Sequence, residues 1–345
     1  MAKWIEQCGP DKDIIISSRI RVARNLDEFP FPVALTKAKS KAVFESVTNA
    51  INESVLTHDF EGVLLQEVDP LERQVLVEKH LISPNLAQNY EKGAAFLNKD
   101  ESISIMINEE DHIRIQCLLP GFQLDEAWDM AEKMDDILEE HVKYAFDEKL
   151  GYLTSCPTNI GTGIRASVMI HLPALTMTGY MNRILQAASQ IGLAVRGIYG
   201  EGTEFIGNVF QISNQLTLGR SEKDIIGNLK DVTRQIIQKE RDARSTLLSN
   251  NGVQLEDKIY RSFGILSHAR ILTSQECMKL LSDVRLGIDT GILKDIYVDN
   301  MNEIMVMMQP AYLQKIARKS LSSQERDIRR ASLVREKLGN KKEDE

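Results

Sequence analysis

The sequence predicts an α+β fold in which a mainly antiparallel sheet with flanking helices is followed by an all-α C-terminal domain. Three observations carry this prediction. Aliphatic and polar residues alternate with period 2 at residues 14–22, 103–117 and 165–172, the mark of strands. The alternation at 103–117 turns back on itself around a polar tetrapeptide, so it reads as a hairpin. From Ser221 onward the apolar period lengthens to that of helices almost without interruption. The 345 residues suffice for two domains, and Asn250, Asn251 and Gly252 mark the expected break, giving 1–250 and 251–345.

Composition narrows the function classes. A net charge of −8 argues against a general nucleic-acid or membrane surface, so neither is expected as a direct partner. No charged segment precedes an apolar run at the start, and no stretch nears the ~18 apolar residues of a membrane span. A cytoplasmic location is expected. The four cysteines lie far apart without CxxC or Cys/His spacing, which suggests free thiols, with no disulfide framework or structural metal site. Residues 341–345 read as a solvated, frayed end.

Taken in order, the first informative run is DIIISSRIRVARN, residues 13–25. Ile14, Ile16, Ile20 and Val22 share one parity, and Ser17, Arg19 and Arg21 the other. Like charges on one sheet face repel, so the pair implies either an anion between them or a solvated strand edge. Residues 36–55 have the period of a surface helix. Residues 75–85 mix apolar positions around His80, which reads first as a packed core histidine and second as a ligand. In the hairpin, Ile103, Ile105 and Ile107 oppose Ile113, Ile115 and Cys117. Its turn, Asn108 to Asp111, holds three consecutive acids expected to face solvent unless Glu110 and Arg114 join the arginines of the neighbouring face. Residues 124–145 form an amphipathic helix with Trp128 in the core.

The stretch LGYLTSCPTNIGTGIRASVMIHLP, residues 150–173, is the densest in chemistry. Gly161, Gly163 and Ala166 fit the spacing of a dinucleotide-binding fingerprint, but that motif must open a helix, and here a strand follows. Arg165 is therefore aimed off the polar face of a sheet, and Cys156 is a candidate reactive thiol. The strand stops at Pro173, and helical period resumes only at residues 180–191. Residues 195–218 are glycine-rich and then strand-like from Val209. C-terminal helices are predicted at 221–249, 255–268, 274–286, 298–308 and 322–338. In the last one, Ser322 and Glu325 form a capping box, while Arg326 and Arg330 share a face beside Asp327. Like charges at that spacing cost a few tenths of a kcal/mol on a bare helix. The pair is either a solvated basic face or an anion site.

No Walker A loop and no HRD or DFG element is present. A different phosphate clamp is required, and arginine suits the task because its planar fork binds phosphate oxygens in pairs and stays charged. The blocks SSRIR, NEEDHIR, CPTNIGTGIRAS, RGIYGEGTE and ISNQLTLGRSE occur in the order found in the phosphagen (guanidino) kinases, and the chain closely resembles that family over residues 13–237. The resemblance implies an ATP:guanidino phosphotransferase using ATP and Mg²⁺. It puts Ser17, Ser18, Arg19, Ile20 and Arg21, with His80, Arg114, Arg165, Ala166, Ser167, Val168 and Met169, on the nucleotide. It adds Arg196, Gly197, Ile198, Tyr199, Gly200 and Glu201. Glu110 and Glu201 would grip the guanidinium and take its proton, with Cys156 beside it as a thiolate; a buried inert thiol is the alternative. The metal would be held by ATP itself, and no protein ligand is named.

Departures from the family point to the acceptor. The first motif begins at Ser17, leaving no room for the helical N-terminal domain of creatine and arginine kinases. Gly202 replaces the usual histidine of GEHTE. An open acceptor side and an added helical domain resemble the bacterial protein-arginine kinases of the McsB type, whose RDxxRA motif matches Arg326, Asp327, Arg330 and Ala331 as an allosteric phosphoarginine site. That likeness implies protein substrates bearing arginine, marking for ClpC/ClpP degradation in the stress response, an activating zinc-finger protein of the McsA type, the ClpC unfoldase and the CtsR repressor. A homodimer is expected. A kinase for free arginine or another small guanidine, and a catalytically silent phosphoarginine-binding adaptor, are the alternatives.

Overall fold

The computed structural model describes residues 2–54, 59–197, 205–294 and 301–339. Its strands are β1 (Ile15–Arg24), β2 (Phe60–Leu64), β3 (Ala94–Asn98), β4 (Ile103–Ile107), β5 (Ile113–Pro120), a small ribbon of β6 (Phe146–Asp147) and β7 (Gly151–Tyr152), then β8 (Ile164–His171), β9 (Leu193–Gly197) and β10 (Val209–Asn214). Eight of them form one sheet in the order β2-β3-β4-β5-β1-β8-β10-β9, and every pairing is antiparallel. The helices are α1 (Lys3–Glu6), α2 (Lys37–Glu53), α3 (Pro70–Glu78), α4 (Pro84–Gln88), α5 (Leu124–Glu139), α6 (Pro173–Met177), α7 (Met181–Gln190), α8 (Glu222–His268), α9 (Ser274–Asp289), α10 (Met301–Met307), α11 (Pro310–Ala317) and α12 (Ser323–Gly339). None of the described helices is long and apolar enough to cross a membrane.

The sheet's two faces are buried differently, and that difference makes the site. One face carries Ile20, Val22, Ile113, Ile115, Ile164, Ala166, Val168 and Ile212 into a single core with α2, α5, α7 and the first half of α8. The other face is covered in two places: Ile16, Leu118, Met169 and Val209 pack on α1, α9 and α10, and Ala95 and Met106 of β3 and β4 pack with Leu65, Ile82 and Leu86 around α4. The cleft lies on this face between the two. β8 is accordingly apolar on both sides at its far end, which corrects the expectation of a half-buried strand. Ile16 departs from the parity read in the sequence because the β1 register shifts between Ile15 and Ser17, turning its side chain into the second core.

Other expectations shift for local reasons. The predicted helices at 221–249 and 255–268 are one helix, α8, in which Asn251 alone leaves helical dihedrals (φ −134°, ψ 31°). The helix starting at Leu124 ends at Glu139, and Val142 and Ala145 reach the core from the following loop. The short α6 and α11 were not legible, since each spans fewer than three turns and begins at a proline. Both are capped from a distance. Buried Glu240 of α8 accepts from the backbone N–H groups of Ala174 (3.1 Å) and Leu175 (2.9 Å) at the start of α6, and Glu78 of α3 accepts from Ala311 and Tyr312 (2.8 Å each) at the start of α11. A carboxylate at a helix start satisfies donors that have no partner inside the helix.

Glu240 also takes the Nε–H of buried Arg244 at 2.9 Å. Glu240→Ala would leave that guanidinium and two N–H groups without their acceptor, so urea denaturation should show a loss of about 3 kcal/mol. A loss below about 0.5 kcal/mol would mean that the cap contributes nothing.

Candidate active site

Strand register alone gathers the arginines. Arg21 of β1 lies directly opposite Arg165 of β8 and Gln116 of β5, Arg19 lies opposite Ser167, and Arg196 of β9 lies opposite Gln211 of β10. Arg114 of β5 faces Ala23 in the same row. Residues paired directly across strands share a face, so all five arginines stand on the open one. They line one cleft of about 350 Å³, with His80, Glu110 and Asn159 on its walls.

Burial and mutual repulsion act most strongly on Arg19 and Arg21. Arg19 donates to Gln211 Oε1 (2.7 Å) and Ser167 Oγ (3.3 Å), both neutral. Burial first, then Arg165 and Arg114, pull its guanidinium down to about 10. Arg21 is lowered further by burial and by Arg19, Arg114 and Arg165, with only Glu109 opposing, and its Nε has no hydrogen-bond partner. Arg114 is matched by acids, with Nη1 2.5 Å from Glu109 and Nη2 2.9 Å from Glu110. His80 sits just past α3 with φ 59°, and burial followed by Arg19 pulls its imidazole down to about 3. It is a neutral member of the wall.

The acidic turn is an anchor, contrary to the solvent-facing reading. Glu109 is buried and binds Ser83 Oγ at 2.7 Å besides Arg114. Burial would raise its pKa, but Arg114 and then its hydrogen bonds hold it below the ordinary range. Asp111 is fully buried and accepts from Asn25 Nδ2 (2.7 Å) and from the Ser155 N–H (2.6 Å), fixing the loop before Cys156 to β1. His112 accepts from the Leu26 N–H at Nδ1 and faces the Pro30 carbonyl with Nε2, both at 3.0 Å. Arg24 holds the glycine turn by donating to the Thr162 carbonyl (2.9 Å), pairing with Asp135 and lying 3.4 Å over the Tyr152 ring. A side chain at Gly163 would collide with the Ala23 carbonyl and the Arg24 guanidinium, and its φ is +67°. Sequence reasoning missed Asn25, Asp111 and Arg24 as supports. Their signal was present as polar or charged residues at or near strand ends beside apolar runs, without a partner nearby in sequence.

Glu110 lies between two spaces. It borders the arginine cleft and also a second cavity of about 580 Å³ that reaches Ser155. Cys156 is half-buried, with Sγ 3.0 Å from Thr158 Oγ1. Its loop neighbours Ser155 and Asn159 border the second cavity and the cleft respectively.

Some expected nucleotide residues stand elsewhere. Ile20, Ala166 and Val168 are on the opposite parity, in the core. Ser18 is buried there too, donating to the Gly121 carbonyl and accepting from the Gln123 N–H. Ser17, Ser167 and Met169 line a small void beside Arg19 and His80, and Gly197 borders the cleft. Ile198, Tyr199, Gly200, Glu201 and Gly202 lie outside the described residues. In α12 the capping box forms as read, with Ser322 N–H donating to Glu325 at 2.8 Å and Glu325 N–H to Ser322 Oγ at 3.3 Å. Arg326 and Arg330 are not an exposed matched pair. Arg330 is buried, donating to the Met308 and Leu272 carbonyls (2.9 and 2.8 Å) and to Asp327, while Arg326 donates to the Leu321 carbonyl and Ala331 is in the core.

The model of the ATP:guanido phosphotransferase C-terminal catalytic domain matches residues 42–243, and that of the protein-arginine kinase McsB C-terminal domain matches residues 252–345. A protein-arginine kinase of Halalkalibacterium halodurans is 56% identical over 100% of this chain and 97% of its own. One of Brevibacillus brevis is 55% identical over 98% and 95%. Among solved structures, a lombricine kinase superposes with TM-score 0.61 at 25% identity, covering 70% of each chain.

Two measurements probe the cleft's electrostatics. Inorganic triphosphate should raise Tm, and the rise should shrink with salt. Arg21→Met should abolish that rise while raising the ligand-free Tm by about 1–2 °C, because one repelling charge is gone; a marked fall in ligand-free Tm would contradict the repulsion. His80 supplies a pH test. The unfolded chain protonates it near about 6.5, above its folded value, so stability tied to His80 should fall as pH drops through that value. Imidazole NMR signals of His80 that titrate between about pH 5 and 8 would contradict its neutrality.

Proposed function

The chain belongs to the ATP:guanido phosphotransferase family, and on that premise we propose that it transfers the γ-phosphate of ATP to guanidinium groups of arginine side chains in proteins. The observation that carries this reading is the convergence of Arg19, Arg21, Arg114, Arg165 and Arg196 with Glu110 in one cleft. Five cations gathered in one cleft suit a polyphosphate, and transfer of a phosphoryl group asks mainly for positioning and charge neutralisation. The full-length likeness to proteins named protein-arginine kinase, at 52–56% identity, favours an arginine in a protein over a small guanidine.

In the reaction, a guanidinium nitrogen gives up a proton, attacks the γ-phosphorus and forms an N–P bond as the bond to the ADP oxygen breaks. A guanidinium loses its proton only above about pH 12, so a carboxylate must orient the nitrogen and take the proton in the transition state. Glu110 fits the task from the wall of the cleft, and Glu201 is assigned the second grip by its motif. Cys156 acts by position and charge, with no phospho-cysteine intermediate. His80 contributes shape and a neutral polar edge. Mg²⁺ enters as the counter-ion of the nucleotide. Glu110, on the wall of the cleft, is engaged by Arg114. No step is assigned to the ion.

The same proposal includes a cytoplasmic location, a catalytic domain over 1–250 and a helical domain over 251–345. It includes phosphoarginine capture at Arg326, Asp327, Arg330 and Ala331. The proposed partners are an activator of the McsA type, ClpC and CtsR, with ClpC/ClpP degradation of the marked proteins in the stress response and a homodimeric assembly.

Mass spectrometry of a basic protein incubated with the chain and Mg-ATP, under conditions that keep the acid-labile P–N bond, should find phosphoarginine. Glu110→Ala and Glu201→Ala should each lower kcat/KM by about 10²–10⁴ while ATP still binds. Wild-type rates in either variant would refute the assigned roles, and phosphate found on serine or threonine alone would refute the reaction.

A further inference from the structure

The second cavity beside Glu110 lacks the five arginines in its lining and carries Glu91, Glu109 and Glu110 instead. It runs between the turn Pro32–Ala34 and the loop that follows α4, with Asn108 and Ser155 on its inner wall. Its volume of about 580 Å³ exceeds that of the arginine cleft and far exceeds the needs of one guanidinium. Its cations are committed, since Lys92 Nζ donates to the Leu35 carbonyl at 2.6 Å. Its inner wall instead holds unsatisfied oxygens. Asn108 is 5% exposed and fixed by its Nδ2 to the Ser40 and Lys92 carbonyls (2.9 and 3.1 Å), and its Oδ1 has no hydrogen-bond partner. Ser155 Oγ is likewise buried without one. Buried polar groups left unpaired in the free protein are places where a ligand's groups can pair.

We propose that this cavity is the acceptor groove, taking the polypeptide segment that carries the target arginine. This rests on the reading of the chain as a protein-arginine kinase. An arginine side chain has five N–H donors and no acceptor, and flanking backbone adds further N–H groups, so its chemistry matches Asn108 Oδ1 and the Glu110 carboxylate. A cation approaching through the other opening would meet five arginines. Approaching through the second cavity, it meets a wall that includes Glu91, Glu109 and Glu110. The mouth of the groove carries Val33, an apolar side chain 95% exposed, which suits contact with residues next to the arginine. Those neighbours, and not the guanidinium alone, then set which arginines are modified.

Val33 is solvent-exposed at the rim and can be changed without touching the core. Steady-state phosphorylation of an unstructured polypeptide with one arginine should show KM raised about fivefold by Val33→Arg and unchanged or lowered by Val33→Asp. The difference should fade in high salt, and KM for ATP should be the same in all three proteins. A benzophenone placed two residues from the arginine should crosslink to residues 30–35 or 88–92. A wild-type enzyme that phosphorylates the polypeptide while both variants keep its KM and crosslinks form elsewhere would overturn the groove and leave the proposed reaction standing. A wild-type enzyme that phosphorylates only free arginine would overturn both.

Discussion

Mutual repulsion among arginines is the constraint on which this structure turns. Arg19, Arg21 and Arg165 sit in adjacent register positions of β1 and β8, where like charges oppose folding. The sheet can impose the arrangement because its other face is paid for by a continuous aliphatic core running the length of the same strands. Each strand thus spends one parity on stability and the other on function. Neutral partners, Ser167 and Gln211, aim Arg19 without cancelling its charge. Had carboxylates aimed Arg19 as Glu109 and Glu110 aim Arg114, its charge would have been satisfied before any phosphate arrived.

The acids of the turn are divided between support and chemistry by burial. Glu109 and Asp111, the two outer members of the run, are buried and bonded to side chains and backbone from other segments, so they fix the turn between β4 and β5 and the loop of Cys156. Glu110, between them, is the one whose side chain remains partly exposed. Its distance from Arg114 sets its orientation, because residues at either end of a short turn and strand start are tied by one ion pair. A second-layer loss, at Asp111 or Asn25, would therefore move the loop of Cys156 without touching any group that meets the nucleotide.

Much of this was legible in the sequence because strand parity is a local signal. The alternations around Arg19, Arg114 and Arg165 put each arginine on a polar face, and the motif order then assembled them. What parity could not convey was long-range. The slip at Ile16 depends on a bulge that only pairing with β8 defines. The continuity of α8 through Asn251 was hidden because a run of asparagines and glycine carries a strong local break signal, while packing of the helix on α9 and α12 overrides it. Burial of Glu109 and Asp111 also escaped, since three acids in a row look solvated until Ser83, Asn25 and the Ser155 backbone are seen to converge on them. Arg330 escaped for the same reason: its carbonyl partners Leu272 and Met308 are distant in sequence.

The partition of charge across Glu110 bears on direction. In-line transfer requires the attacking nitrogen and the leaving oxygen on opposite sides of the phosphorus. On the proposed reading, a triphosphate held among the arginines would put the leaving group on the cationic side, and the nucleophile would come from the side where Glu110 and the Asn108 and Ser155 oxygens lie. The acceptor is itself a cation, and a net charge of −8 on the chain favours its approach from solution. Phosphorylation then inverts its charge. A guanidine carrying a phosphoryl group is an anion toward the carboxylate that held it, so the interaction that admits the substrate turns repulsive once the N–P bond has formed. Binding and release can thus be governed by the same side chain, without any requirement that the groove open and close.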